Sequence, residues 1–316
     1  SPESRSLISQ LAGSTFFSIT HTTFSEDEAL ELMHNNKCGL ILHLPGEFSG
    51  NIGKGEPTKV MVSANAINAV TAQLSWAYLN GVLRDYNMTL VAGSAGIASA
   101  SSVPRINIVN RYWYNEMLNY KYYMLPGILG ILVTAIGFLL AGLNLVREKE
   151  IGTIEQINVT PVRKHHFIIA KMFPFLVIGL IDLAIGMIIG KIAFNIPFEG
   201  SIALLFLASS IFLIAVLGLA LFISTFSSSQ QQFMFMAFFF MIIFILMSGI
   251  FTPFESMPVW AQKIDIINPV VHLMKINRMV MLKGSAFTDI SREIYLLIII
   301  AITFTAFAVV RYRKTA

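Results

Sequence analysis

Cysteine occurs once, at Cys38, so the chain has no internal disulfide framework, and the residue reads as a small buried apolar side chain. Charge is scarce as well. Asp, Glu, Lys and Arg make up 13% of the 316 residues, and hydrophobic residues 55%. Soluble domains carry about 25% charged and roughly 45–50% apolar residues, so both figures exclude an ordinary soluble domain and point to a membrane protein. The net charge of +4 is modest, and the basic residues gather beside apolar runs. They read as topology signals, not as a nucleic-acid surface. Metal-ligand spacing is missing: His165 and His166 are adjacent and cannot chelate from one helix face, and His21, His34, His43 and His272 are scattered. GNIGKGEPT lacks both the Gly-to-Gly-Lys spacing and the Ser/Thr of a phosphate-cradling loop, and no Ser-His-Asp arrangement is claimed from spacing. Catalytic residues and a directly bound cofactor are therefore not expected.

Five apolar runs do reach the ~20 residues that span a bilayer. They are 124–145, 167–194, 202–226, 233–250 and 294–310, all expected as helices because a lone strand in lipid leaves its backbone unpaired. A further apolar stretch, 251–285, is broken by Pro253, Pro258 and Pro269. It predicts short helices lying at, or dipping into, the outer interface, with Trp260 at headgroup depth.

Residues 1–120 differ in character and predict a small α+β domain outside the hydrocarbon. Ser25 with Glu28 offers a capping box for SEDEALELMHNN. CGLILHL and KVMVS read as strands, with turn residues in PGEFSGNIGKGEP between them. A helix over 64–85 would present Ile67, Val70, Leu74, Tyr78 and Val82 on one face.

The basic tail, with Arg311, Arg313 and Lys314, and the first connection, with Arg147, Lys149, Arg163 and Lys164, fall on one side. NIPFEGS on the other side has no Lys or Arg, although 251–293 carries Lys263, Lys275, Arg278, Lys283 and Arg292. This bias predicts a cytoplasmic carboxyl terminus and an extracytoplasmic amino-terminal domain. That orientation in turn predicts an upstream first span missing from this sequence.

Within the second run, Asp182 lies about 15 residues in, roughly 22 Å along a helix at ~1.5 Å per residue, too deep to snorkel. It either faces a cavity or stitches helices through hydrogen bonds. Lys191 is near enough to the outer end to snorkel, and Gly186 and Gly190 form a weak GxxxG pair. SSSQQQ, residues 227–232, reads as a solvated turn.

The stretch VREKEIGTIEQINVTPVRK places many charges between two spans, far more than insertion topology requires. It resembles the type-2 ABC exporter permease family, whose pattern is R-E-[KR]-E-x-G-T-x-E-x-[IL] followed by T-P. Arg147, Glu148, Lys149, Glu150, Gly152, Thr153, Glu155, Thr160 and Pro161 match it. SGIFTPFESMPVWAQ and NPVVHLMKINRMVMLKG also resemble this family, specifically its subgroup with a large extracytoplasmic domain after the first span. The likeness runs from about Ser4 to Gly284, with Glu116 departing where the family commonly has Pro.

The resemblance implies a type-2 exporter transmembrane fold in a bacterial inner membrane. It also implies that 146–164 forms a coupling helix docking on a separate ATPase. Mixed charge suits such a contact, Gly152 would permit close approach, and Thr153 and Glu155 would hold the helix end or reach the partner. Two ATPase copies, binding the ATP, and a second permease copy or paralogue would complete the machine. Amphiphilic cargo would move outward past a gate region including Pro253, Glu255, Pro258 and Trp260. In bacteria with two membranes, similar proteins add a periplasmic adaptor and an outer-membrane channel. Two alternatives remain open: a proton-coupled secondary transporter using Asp182, and a membrane scaffold whose outer domain binds a partner.

Overall fold

Central strands need apolar residues on alternate positions. Thr58–Asn65 (β2) supplies them, burying Val60, Val62 and Ala64. The computed structural model in which this strand lies describes residues 2–54, 56–94, 106–115, 118–158, 160, 162–196, 198–251, 254 and 257–312. The chain divides into two compact units, Ser1–Tyr120 and Lys121–Ala316.

In the first unit, β2 is the middle of a three-stranded sheet. It pairs antiparallel with β1 (Leu40–His43), placing Leu40 opposite Ala64, and parallel with β3 (Ile106–Trp113), placing Thr58 opposite Ile106. A parallel pair needs a crossover, and a helix, α4 (Ala69–Ser94), lies between the two strands in sequence. The amide of Asn87 on α4 fixes the start of β3, accepting from Ile106 N at 2.9 Å and donating to Ile106 O at 3.4 Å. Two further helices, α1 (Pro2–Ala12) and α3 (Phe48–Lys54), add Leu7, Leu11, Phe48 and Ile52 to the core around Leu79, Leu83 and Tyr86. Tyr86 Oη donates to Glu3 O at 3.0 Å, and burial pushes its phenol above the ordinary range.

Several expectations are corrected in this unit. The helix expected over 64–85 starts at Ala69, and its buried face is Ala72, Leu79, Leu83 and Tyr86, whereas Leu74 and Tyr78 are exposed. The turn-rich PGEFSGNIGKGEP contains α3, held by Phe48 and Ile52 one helical turn apart. The capping box on α2 (Glu26–His34) is half made. Ser25 Oγ accepts from Glu28 N at 3.4 Å, but the Glu28 carboxylate takes the Thr23 hydroxyl.

Among its described residues the second unit holds five helices long and apolar enough to cross a membrane: α5 (Tyr120–Ile151), α7 (Lys164–Phe194), α8 (Ile202–Ser224), α9 (Gln230–Met247) and α12 (Phe287–Arg311). Each of the five runs read from the sequence falls on one of these helices, three wholly inside, while 202–226 and 233–250 run two and three residues past the ends of α8 and α9. α8 is the hub, packed against α7, α9, α12 and a fourth helix, α11 (Pro269–Lys283). Large apolar side chains on the outer faces of α7, α9 and α12 stay exposed, among them Phe173, Ile181, Phe235, Phe239, Ile299 and Ile302. Patches of that extent are untenable in water and ordinary in lipid.

Small residues set the helix spacing. A Cβ on Gly186 or Gly190 would fall 2.5 or 2.6 Å from Leu129 or Leu125 of α5, and one on Gly218 would meet Thr305 N of α12 at 2.9 Å. The GxxxG pair is therefore a packing contact within this chain.

The proline-broken stretch forms a short helix, α10 (Val259–Ile264), then a 3₁₀ turn (Asp265–Ile267), then α11. Short helices were expected there, and α11 is buried within the protein almost throughout. Pro269 does not break a helix here. It occupies the first helical position behind the cap Asn268, whose side chain accepts from Val270 N at 3.0 Å.

Candidate functional site

Arg, Glu and Lys are good helix formers, and α5 does not stop at the end of its apolar run. It continues through Val146, Arg147, Glu148, Lys149 and Glu150 to Ile151. Successive residues on a helix point about 100° apart, so three neighbouring charges reach three different helices.

Glu148 accepts from Lys171 Nζ on α7, and the same ammonium donates to Asn144 Oδ1 at 3.2 Å. Lys149 Nζ donates to the carbonyls of Ser224, at 2.6 Å, and Ser227, at 3.4 Å, where α8 ends. Glu150 accepts from the backbone N of Gln230, at 2.7 Å, and from its side-chain amide, where α9 begins. A cation at a helix C-terminus and an anion at an N-terminus each complement the helix dipole.

The end of α12 joins the same cluster. Tyr312 is buried, its ring stacked 5.0 Å from Phe167, and burial followed by the nearby Glu148 charge pushes its phenol up. Arg311 lies 4.9 Å over the ring of Phe226.

The connection turns at Gly152, whose φ is +81°. A Cβ there would meet nothing of this chain within 4 Å, so within the chain this glycine serves backbone conformation. Thr153 Oγ1 donates to Glu148 O at 3.2 Å and closes the last turn of α5. A short helix, α6 (Thr153–Asn158), follows. The coupling helix expected over 146–164 is therefore two pieces, the end of a spanning helix and a six-residue helix hinged on Gly152. Gly152→Val, a β-branched residue forced to positive φ, should cost ~1–3 kcal/mol. Thermal unfolding of the purified protein should show this loss, with Gly152→Asn affected less.

The structure thus brings together Glu148, Lys149, Glu150, Gly152 and Thr153, while Arg147 points outward and is exposed. Glu155 lies in α6, and its side chain, like Pro161, Pro253, Glu255 and Glu116, lies outside the described residues. The turn expected at 227–232 is partly exposed, with Ser227 and Gln230 also meeting Lys149 and Glu150. Sequence reading missed Lys171 and Asn144 as partners. Their only signal is a lysine and an amide just inside apolar runs.

Asp182 stands apart from this cluster. It is 11 residues beyond Lys171 on α7, or ~16 Å at ~1.5 Å per residue. Its Oδ2 has no hydrogen-bond partner among the described residues. Pro258 caps α10 and Trp260 is exposed in its first turn.

Residues 1–310 match the family described as ABC-2 family transporter protein. The chain is 29% identical over 293 residues to the probable multidrug ABC transporter permease YbhR of Escherichia coli K12, a match covering 92% of this chain and 77% of that one. It is 24% identical to the probable multidrug ABC transporter permease YbhS of the same strain, over 93% and 77% of the two chains. The inner membrane transport permease YhhJ of that strain is 24% identical, over 87% and 72%. No solved structure matches the chain.

Proposed function

The chain belongs to the ABC-2 family of transporter proteins, as a multi-pass membrane permease subunit, and from that premise we propose that a separate ATPase drives it from the charged end of the bundle. One observation carries this reading: consecutive residues Glu148, Lys149 and Glu150 fasten the end of α5 to α7, α8 and α9. A push on α6 reaches α5 through Gly152 and Thr153 and is shared at once among four helices. Two ATPase copies would supply the push, holding the ATP, and a second permease copy or paralogue would complete the path.

The basic residues at this end support a cytoplasmic position in an inner membrane, with residues 1–120 outside. The relatives' names, probable multidrug permeases, support a drug-like cargo, which in this reading is amphiphilic and moves outward.

The charge pattern also selects the right probe. Reversing Glu148 would break an internal ion pair, whereas Glu155 lies on α6. Glu155→Lys is expected to abolish co-purification with the cognate ATPase and the rise in ATPase rate on reconstitution with this subunit in lipid. Its unfolding midpoint should stay at the wild-type value. Wild-type binding and stimulation by this variant would exclude α6 as the docking element.

Asp182 belongs on the cargo path in this reading. The alternative role, stitching helices, needs a polar partner, and Oδ2 has none among the described residues. A mid-span carboxylate turned to hydrocarbon is costly, so a cavity or a passing cation is the environment that fits it.

A further inference from the structure

Both ring nitrogens of His272, on α11, face acceptors. Nδ1 lies 2.5 Å from Glu293 Oε2 on α12, and Nε2 lies 3.0 Å from the carbonyl oxygen of Ile266 in the 3₁₀ turn. A carbonyl oxygen cannot donate, so Nε2 carries a hydrogen. A neutral imidazole has only one N–H, and Nδ1 would then turn a lone pair toward the carboxylate. A doubly protonated ring against an ionised Glu293 satisfies both contacts together. His272 is 3% exposed, so water cannot replace a lost bond.

We infer that His272 is a proton-binding site whose proton closes a clasp among α11, α12 and the 3₁₀ turn, and that losing the proton opens this end of the bundle.

The surrounding charges fit that role. His272 sits in the first turns of α11, where the helix dipole disfavours a cation. Two carboxylates offset this. One is Glu293. The other is Asp265 in the 3₁₀ turn, 1% exposed, whose carboxylate accepts from Asn268 Nδ2 at 3.3 Å and faces the ring's charge. Lys275 on α11 lies 4.1 Å over the Phe254 ring and acts on both carboxylates, and Arg292 on α12 is exposed and acts on Glu293. Lys263 on α10 is exposed, and α8 and α9 contain no ionisable residue. Burial raises Asp265 above the ordinary carboxylate range, and the imidazolium is the donor that joins all three segments among the described residues.

The direction with pH follows from the proton count. At acidic pH the ring keeps both hydrogens and the clasp is complete. As pH rises one hydrogen leaves, a lone pair meets the carboxylate, and the first turns of α12 separate from α11.

The test uses the full chain in lipid nanodiscs with spin labels at exposed Ile267 and Thr288. Their separation is read by pulsed electron resonance from about pH 5 to about pH 9, which brackets the ordinary histidine range. The wild-type distance should lengthen in a single titration step. Glu293→Gln, of the same shape, should lose the step and keep the short distance throughout, because its amide accepts from a charged ring and donates to a neutral one. His272→Phe should sit at the long distance at every pH. A flat wild-type profile, or a step surviving in Glu293→Gln, would overturn the inference.

Infrared difference spectra across the same pH step, on the wild type alone, give an independent readout. Loss of an imidazolium without loss of a carboxylic acid band supports the clasp. A carboxylic acid band lost on that step would put the proton on Glu293 or Asp265 instead of the ring and overturn it. The inference does not rest on the transport reading, since a distance is measured and not a flux.

Discussion

Glu148→Lys should be the most damaging single substitution at the charged end. It sets a second ammonium against Lys171 where the two side chains are only 22% and 23% exposed, and it leaves Asn144 Oδ1 as the only acceptor in place. Breaking a fully buried pair by removing one partner costs about 3–5 kcal/mol, and this partial exposure puts the expected loss near the lower end. The midpoint of thermal unfolding should fall sharply, and stimulation of the ATPase should disappear with it. Adding Lys171→Glu restores opposite charges across the same gap. The double variant should therefore recover most of the lost stability, a non-additivity that a double-mutant cycle measures directly. If the double variant is as unstable as the sum of the two singles, the ion pair does not hold α5 to α7.

The second large effect is expected in transport and not in stability. Asp182→Asn keeps shape and removes charge at a position where Oδ2 has no partner among the described residues, so folding should change little. A cationic cargo would lose a charge-assisted contact worth about 1.5–3 kcal/mol, roughly a tenfold to hundredfold drop in flux at low cargo concentration. Uncharged cargo should be affected far less, and basal ATP hydrolysis should stay at the wild-type rate. Flux measured in proteoliposomes with paired cationic and neutral amphiphiles checks this. Equal loss for both cargos, or loss of ATP-free, proton-driven uptake, would move Asp182 to the role of proton carrier.

What the sequence disclosed depends on the reach of each interaction. Spans are local properties of about 20 residues, so all five were visible in composition alone. Their ends were not. Arg147 to Glu150 were assigned to a separate coupling helix because charge ended the apolar run, yet those residue types propagate α5 itself, and the partners of Glu148, Lys149 and Glu150, namely Lys171, Ser224 and Gln230, are distant in sequence. The face of α4 was misread for a similar reason. Ile67, Val70, Leu74, Tyr78 and Val82 have helical spacing, but so do Ala72, Leu79, Leu83 and Tyr86, and only the sheet beneath decides between them. β3 escaped notice because its partner strand lies more than 40 residues earlier across a crossover helix. Pro269 was read as a breaker, and its position behind the Asn268 cap gives it the opposite effect, starting α11. For the charged segment, the motif drew attention to these residues while hiding that Glu148, Lys149, Glu150 and Thr153 bond within the chain itself.

Lys149 meets the carbonyl end of one helix while Glu150 meets the amide end of the next. Exchanging only these two residues would yield an isomeric protein with identical composition, isoelectric point and hydrophobicity profile. Each side chain would then confront a pole of its own sign. The permuted chain should insert normally and fail to settle its α8–α9 corner, because the information at this corner resides in word order and not in vocabulary.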